Sequence, residues 1–404
     1  MFSKCADYLR MNRTPAGFNE LDGLRGVAIL LVFGWHTIHP FWTEGQPLIP
    51  LGSWDLGTLL INGWMGVDLF FVLSGFLISH HLIKQWDGGR WDFWSYITKR
   101  GLRIVPAYFT VLFIVGFGWV PYFQFRSGDM GLRFAYHILF LQDYFPADIN
   151  VVFWSLGVEE KFYLLAPLIL FGTLGLRSFL LKYSIFITLF FCPLIFRVWT
   201  ASFYPEVSNG NIFFQVFRSP FHMCFDGLVF GMISAFIYRD REAIPFFQNS
   251  HVAQILAWGG IILSLYLLAA ESHLNHFDFL DKALLQTLVA IGMGSTLLGV
   301  LLGGGPIQLL RKSWLFFFSK ISYSLYLVHL PLNPLTTILV GRLIPMDEFE
   351  PMVQFFIYLP FYGTLSIIIA LILHYVVEKP FLLLKDRQTF PRNQKINQPN
   401  KQYL

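Results

Sequence analysis

The stretch Leu21-Asp-Gly-Leu-Arg-Gly-Val-Ala-Ile-Leu-Leu-Val-Phe-Gly-Trp-His36 reads as an apolar helix, yet it carries Arg25 and His36. A charge at membrane depth costs roughly 2.5–3.5 kcal/mol even on lenient insertion scales, so a helix that keeps one has a use for it. The two residues are eleven positions apart, which at about 100° per residue is about three whole turns. They therefore share one helix face, separated by roughly 16 Å along the axis. That face presents a fixed cation at one end and a titratable imidazole at the other.

The rest of the chain repeats the pattern. Of 404 residues, 55% are hydrophobic, 18% aromatic and only 13% charged. Runs of about 20 apolar residues alternate with short polar connections, the pattern of an all-α, polytopic membrane helix bundle. About ten transmembrane helices are expected, beginning near Leu24, Trp64, Ile104, Phe153, Phe179, Phe217, Ala253, Leu284, Phe316 and Phe355.

Lys and Arg cluster in alternate connections: Lys4, Arg10 and Arg13; Lys84 to Arg103; Arg177 and Lys182; Arg239 and Arg241; Arg311 and Lys312; and Lys385 onward. The positive-inside rule makes these cytoplasmic, and an even number of spans puts both termini inside. Residues 1–20 are then a cytoplasmic N-terminal segment, 21–385 the transmembrane domain and 386–404 a basic cytoplasmic tail. The first segment has no apolar core and no small-residue cleavage site, so it does not read as a removable signal.

The expected partner is the lipid bilayer. The formal net charge of +4 comes from loops and speaks to orientation rather than to nucleic acid. Cys5, Cys192 and Cys224 have neither disulfide nor metal-ligand spacing, so no metal is expected. The outer connection from Pro121 to Val152 reads equally as an ordinary loop or as a re-entrant element near an acceptor site.

The polar residues at depth fall into two tiers. On the inner side are Arg25 and, where a connection runs into the third span, Lys99, Arg100 and Arg103. Arg100 and Arg103 are three apart and share a face. Guanidinium groups bind phosphate bidentately and stay charged at depth, so this cluster suits a phosphorylated cofactor, or equally lipid headgroups.

On the outer side are His36, His329 with Tyr326 one turn before it, and one of Glu159 and Glu160, between which periodicity does not decide. A buried histidine with a carboxylate partner is a ready general base. His39 reads as structural, and Ser74 lacks the context of a hydrolase nucleophile. Asp68 is a supporting candidate. Asp226, with Arg218 eight before it, reads as an intramembrane ion pair, and the glycines beside it as a close helix contact. Glu378-Lys379-Pro380 reads as a helix cap at the inner surface.

Together these stretches resemble the acyltransferase-3 family of integral membrane acyltransferases, over Leu21 to about Phe381. Arg25 and His36 resemble its Arg-x10-His motif, Arg100-Gly-Leu-Arg103 its Arg-x-x-Arg motif, Gly66 to Phe76 its second-helix signature, and Trp154-Ser-Leu-Gly-Val-Glu159 its Trp-Ser-Leu-x-x-Glu segment. Ser322 to His329 and Glu378 to Phe381 follow in order.

The resemblance implies transfer of an acyl group, usually acetyl, from cytoplasmic acetyl-CoA or another acyl-CoA to a hydroxyl of an extracytoplasmic glycan or glycoside, in the bacterial inner membrane. It selects Glu159 over Glu160. It implies catalytic roles for His36, Glu159 and Arg25, with Glu159 orienting His36, and donor binding by Arg100, Arg103 and Lys99. Some members carry an extracytoplasmic esterase-like domain, and the short tail after the last span implies direct acylation of the acceptor or a separate periplasmic transferase. Two other classes compete: a secondary transporter or flippase with an intramembrane proton relay, and a non-catalytic recruiting subunit.

Overall fold

The computed structural model describes residues 18–43, 46–52, 54–124, 128–204, 206–207, 209–270 and 278–389. The first 17 residues and the tail from 390 on lie outside them, so the expected N-terminal and C-terminal segments are for the most part not described.

The longer helices are α1 (Asn19–Ile38), α2 (Gly66–Asp87), α3 (Phe93–Gly116), α4 (Met130–Ile138), α5 (Trp154–Leu174), α6 (Phe179–Ala201), α7 (Asp226–Asp240), α8 (Ser250–Ala269), α9 (Leu285–Leu301), α10 (Ser313–Leu343), α11 (Pro351–Leu373) and α12 (Lys379–Thr389). A two-residue hairpin, Pro50–Leu51 paired antiparallel with Trp54–Asp55, is the sole sheet among the described residues.

The molecule is thus an all-α polytopic bundle. Among the described residues, seven helical stretches are long and apolar enough to cross a membrane: Asn19–Ile38, Gly57–Asp87, Leu180–Ala201, Ser250–Ala269, Asp281–Leu301, Ser313–Leu343 and Pro351–Lys385. The other three expected spans fall on α3 and α5, each with three charged residues (Lys99, Arg100, Arg103; Glu159, Glu160, Lys161), and on α7, which has only 15 residues. Of these charges, Arg100, Arg103 and Glu159 line the cavity described below. Large apolar side chains such as Leu180, Ile195, Ile255, Ile262, Phe356 and Val376 face outward from α6, α8, α11 and the turn that follows it. Water would not tolerate such a surface; hydrocarbon does.

Helices α2 and α7 pack along their length, as do α8 with α9 and α1 with α10. The α2–α7 contact is backbone on backbone. A Cβ added at Gly75 would sit 2.0 Å from the Leu228 carbonyl oxygen, and one at Gly231 2.1 Å from that of Val72. Small residues allow this approach, which drives helix association where no hydrophobic effect operates between helices. Gly231→Val should force α2 and α7 apart at about 1–3 kcal/mol, read as a lower melting temperature in detergent; an unchanged value would mean that the contact carries no stability.

Prolines inside helices free carbonyls four residues earlier. Pro167 frees that of Tyr163, which accepts the Tyr96 hydroxyl at 3.1 Å. Pro331 frees that of Leu327, which accepts the Asn150 amide at 3.0 Å. Asn150 belongs to the stretch 139–153 between α4 and α5, irregular as far as Asn150 and closing in a 3-10 turn at Val151–Phe153, in which Gln142, Asp143, Ile149, Asn150, Val152 and Phe153 are buried. Gln142 donates to the Phe153 carbonyl at 2.9 Å, and the Tyr108 hydroxyl donates to that of His137, also at 2.9 Å. The second half of this connection is thus inserted between α5 and α10.

Candidate functional site

Five helices converge on one cavity of about 100 Å³, lined by Arg25 of α1, Ser74 of α2, Arg100 and Arg103 of α3, Ser155, Glu159 and Tyr163 of α5, and Ser322, Tyr323 and Tyr326 of α10. Helix α3 starts at Asp92, whose carboxylate caps the amides of Trp94 and Ser95. About two turns later the i, i+3 spacing turns Arg100 and Arg103 inward together. The Arg100 guanidinium lies over the rings of Tyr96 and Tyr163, each at 5.8 Å.

Among the described residues neither Arg100 nor Arg103 makes an ion pair, and Arg25 reaches only Asp22, at 3.8 Å. The carboxylate in the cavity lining is Glu159, which accepts the Ser74 hydroxyl at 2.7 Å and the Tyr163 hydroxyl at 3.0 Å. Three guanidiniums against one carboxylate leave the cavity with a positive excess, in a site walled by Phe70, Phe71 and Leu73. Fields are strong where water is scarce, so such a site favours a multivalent anion. Lys99 does not line it.

The upper wall is Tyr326. Its hydroxyl lies 2.6 Å from Ser155 Oγ and donates to the Val152 carbonyl at 3.0 Å, so the inserted stretch and α10 close the cavity jointly. Its ring centroid is 6.1 Å from that of His329. Beyond it His329 Nε2 lies 3.1 Å from His36 Nδ1, with the ring centroids 4.8 Å apart. Each Nδ1 also faces the carbonyl four residues earlier: His36 that of Val32 at 3.0 Å, His329 that of Leu325 at 2.9 Å. Both rings are buried. Asn333 donates to the His36 carbonyl at 3.2 Å and Tyr362 to that of His329 at 2.8 Å, pinning α1 to α10 and α11 at this level.

The structure therefore brings Arg25, Arg100, Arg103 and Glu159 together, with Tyr326 as the partition and His36 and His329 beyond it. It corrects the expected pairing of His36 with Glu159: Glu159 sits with the arginines, and the side chain facing His36 is His329. Counting along apolar runs misplaced Glu159 because α5 is entered from the buried stretch 139–153, so its first turns already lie deep. Lys161 pairs with Asp143 at 2.6 Å rather than with either glutamate.

Asp68 and Asp226 lie outside the cavity lining, and the expected Arg218–Asp226 pair is not formed. Arg218 holds Asp68 through two bonds of 2.8 and 2.7 Å, between the rings of Trp64 and Trp154, each 5.0 Å away. Asp226 pairs instead at 3.0 Å with Arg197 of α6, a residue the sequence reading did not single out, and Arg197 also donates to the Met223 and Ala283 carbonyls. A π-turn at Phe214–Arg218 and a break at Phe225 separate Arg218 from Asp226, so helical spacing does not carry across them. Glu378 does not cap a surface helix either. It is buried on a π-turn, His374–Glu378, where it accepts from Ser324 at 2.7 Å and meets His374 Nδ1 at 2.8 Å.

Ser74, Ser155, Tyr163 and Tyr96 are lining or supporting residues that sequence reasoning did not assign. The serine and tyrosine flanking Glu159 in Trp154 to Tyr163 were the available signal. Among the described residues no group of His, Cys, Asp and Glu is placed to hold a metal ion.

The chain is 26% identical over 347 residues to the peptidoglycan O-acetyltransferase OatA of Listeria monocytogenes, covering 79% of this chain and 50% of that protein. It is 29% identical over 180 residues to proteins of Staphylococcus aureus named as O-acetyltransferases, covering 40% of this chain and 26% of theirs. A protein of Acidianus two-tailed virus named as an acetyltransferase is 26% identical over 316 residues, covering 77% of this chain and 82% of that one. The chain thus spans about half the length, or less, of the bacterial relatives it matches. No solved structure matches it. The profile of the acyltransferase-3 family, described as an acyltransferase domain, matches residues 18–375, and the chain belongs to that family.

Proposed function

We propose that the chain is a multi-pass O-acyltransferase of the bacterial inner membrane, with both termini cytoplasmic, that carries acetyl from acetyl-CoA to a hydroxyl of an envelope glycan, peptidoglycan being the first candidate. The observation that carries this reading is the cavity in which three guanidiniums meet one carboxylate, one tyrosine ring away from a pair of buried histidines. Arg25, Arg100 and Arg103 hold the donor phosphates, and Glu159, held by Ser74 and Tyr163, offsets part of the arginine charge. The thioester end reaches past Tyr326 toward the histidines.

His36 takes the proton of the acceptor hydroxyl as its oxygen attacks the thioester carbonyl. The C–S bond breaks, and the departing CoA sulfur accepts that proton. A covalent variant passes through an acyl-histidine, and a burst of free CoA without acceptor distinguishes it from direct transfer. A transporter would need no polyanion grip, and nothing in the cavity favours that reading.

Loss of one charged hydrogen-bonding partner costs about 1.5–3 kcal/mol. Arg100→Ala and Arg103→Ala should therefore each raise the KM for acetyl-CoA by about tenfold or more, with a smaller change in kcat, measured by thiol release in membranes containing the full chain. Unchanged KM values in both variants would remove the donor from this cavity.

A further inference from the structure

The two histidines fix each other's protons. A backbone carbonyl only accepts, so Leu325 O, 2.9 Å from His329 Nδ1, requires the hydrogen of neutral His329 on Nδ1. That leaves a lone pair on His329 Nε2, aimed at His36 Nδ1 3.1 Å away. Val32 O, 3.0 Å from the same Nδ1, likewise demands a hydrogen there. His36 Nδ1–H is thus shared between two acceptors. The hydrogen-bond pattern closes in one way, with both rings as Nδ1–H tautomers and His36 Nε2 bare.

We infer that His329 is the positioning residue for the base: it holds the His36 Nδ1–H so that the unprotonated His36 Nε2 meets the acceptor hydroxyl. The inference rests on the acyltransferase reading of the site. When His36 takes the hydroxyl proton on Nε2, the bond to His329 remains, and the Nδ1 proton can shift along it, spreading the new charge over two rings. A carboxylate in this place would be a permanent buried charge before the reaction begins, whereas an imidazole is neutral until the proton arrives. The site therefore keeps its one carboxylate beside the arginines and uses an imidazole beside the base. Besides His36, His329 is held by the Leu325 carbonyl, the Tyr362 hydroxyl on its own carbonyl, and the rings of Tyr326 and Phe33.

The test compares His329→Leu, His329→Gln and His36→Ala in the full chain, with acetyl-CoA as donor and soluble peptidoglycan fragments as acceptor. Retained acetyl-CoA binding reports the fold in each variant. Leucine fills space but accepts no hydrogen bond, and kcat should fall about 100-fold with the KM for acetyl-CoA unchanged. Glutamine places an amide oxygen near the position of Nε2 and should keep kcat within about tenfold of the parent. A merely structural role would not separate leucine from glutamine in kcat alone. If His329→Leu keeps kcat, or glutamine does no better than leucine in a variant that still binds acetyl-CoA, the proposal is overturned while an inactive His36→Ala upholds the acyltransferase reading. If His36→Ala still transfers acetyl, both fall together.

Discussion

His36→Ala should lower acetyl transfer by roughly 10²–10⁴-fold, the range that a general base contributes, while acetyl-CoA binding stays close to that of the parent. The separation follows from the geometry: Arg25, Arg100 and Arg103, the proposed donor grip, line the cavity together with Tyr326, whereas His36 and His329 lie outside its lining. Alanine removes the imidazole but leaves the backbone carbonyl that Asn333 holds, so α1 keeps its contact with α10. The check is kcat against the donor dissociation constant in the same membranes. Transfer at near-parent rates would take His36 out of the chemistry.

Asp68→Leu should be among the most destabilising single changes in the chain. It leaves the Arg218 guanidinium buried between Trp64 and Trp154 with its bidentate partner gone, and breaking a buried pair from one side costs about 3–5 kcal/mol. Folded domains are stable by only about 5–15 kcal/mol, so much of the margin goes. The double change Asp68→Leu, Arg218→Met removes both charges and should recover most of the loss. Melting temperatures of the purified variants in detergent decide the matter: a double variant no better than the single would show that the pair contributes by more than charge cancellation. Because Trp154 also begins the helix carrying Glu159, loss of its stacking partner should disturb the donor site as well.

The bundle and the inner half of the site were legible because they rest on local regularities. Apolar run length marked the helices, and the i, i+3 spacing of Arg100 and Arg103 gave their common face. The shared face of Arg25 and His36 survives as a cation at the cavity and an imidazole beyond the partition. What failed was everything that depended on depth or on partners far apart in the chain. The buried stretch 139–153 displaced Glu159 from its expected tier, and the π-turn at Phe214–Arg218 broke the angular count that paired Arg218 with Asp226. Arg197, in an apolar run, gave no sign that it would meet Asp226 from another helix. His329 was visible as a supporting residue, but its contact with His36 joins positions 293 apart, beyond the reach of periodicity.

The pins on the stretch before α5 have a consequence for how the protein is made. Asn150, Val152 and Ser155 find their partners on α10, which leaves the ribosome more than 170 residues later. Until then the amide of Asn150 has no proline-freed carbonyl to meet, and the ceiling over the arginines has not arrived. A nascent chain lacking α10 therefore lacks Ser322, Tyr323 and Tyr326, and with them one wall of the cavity.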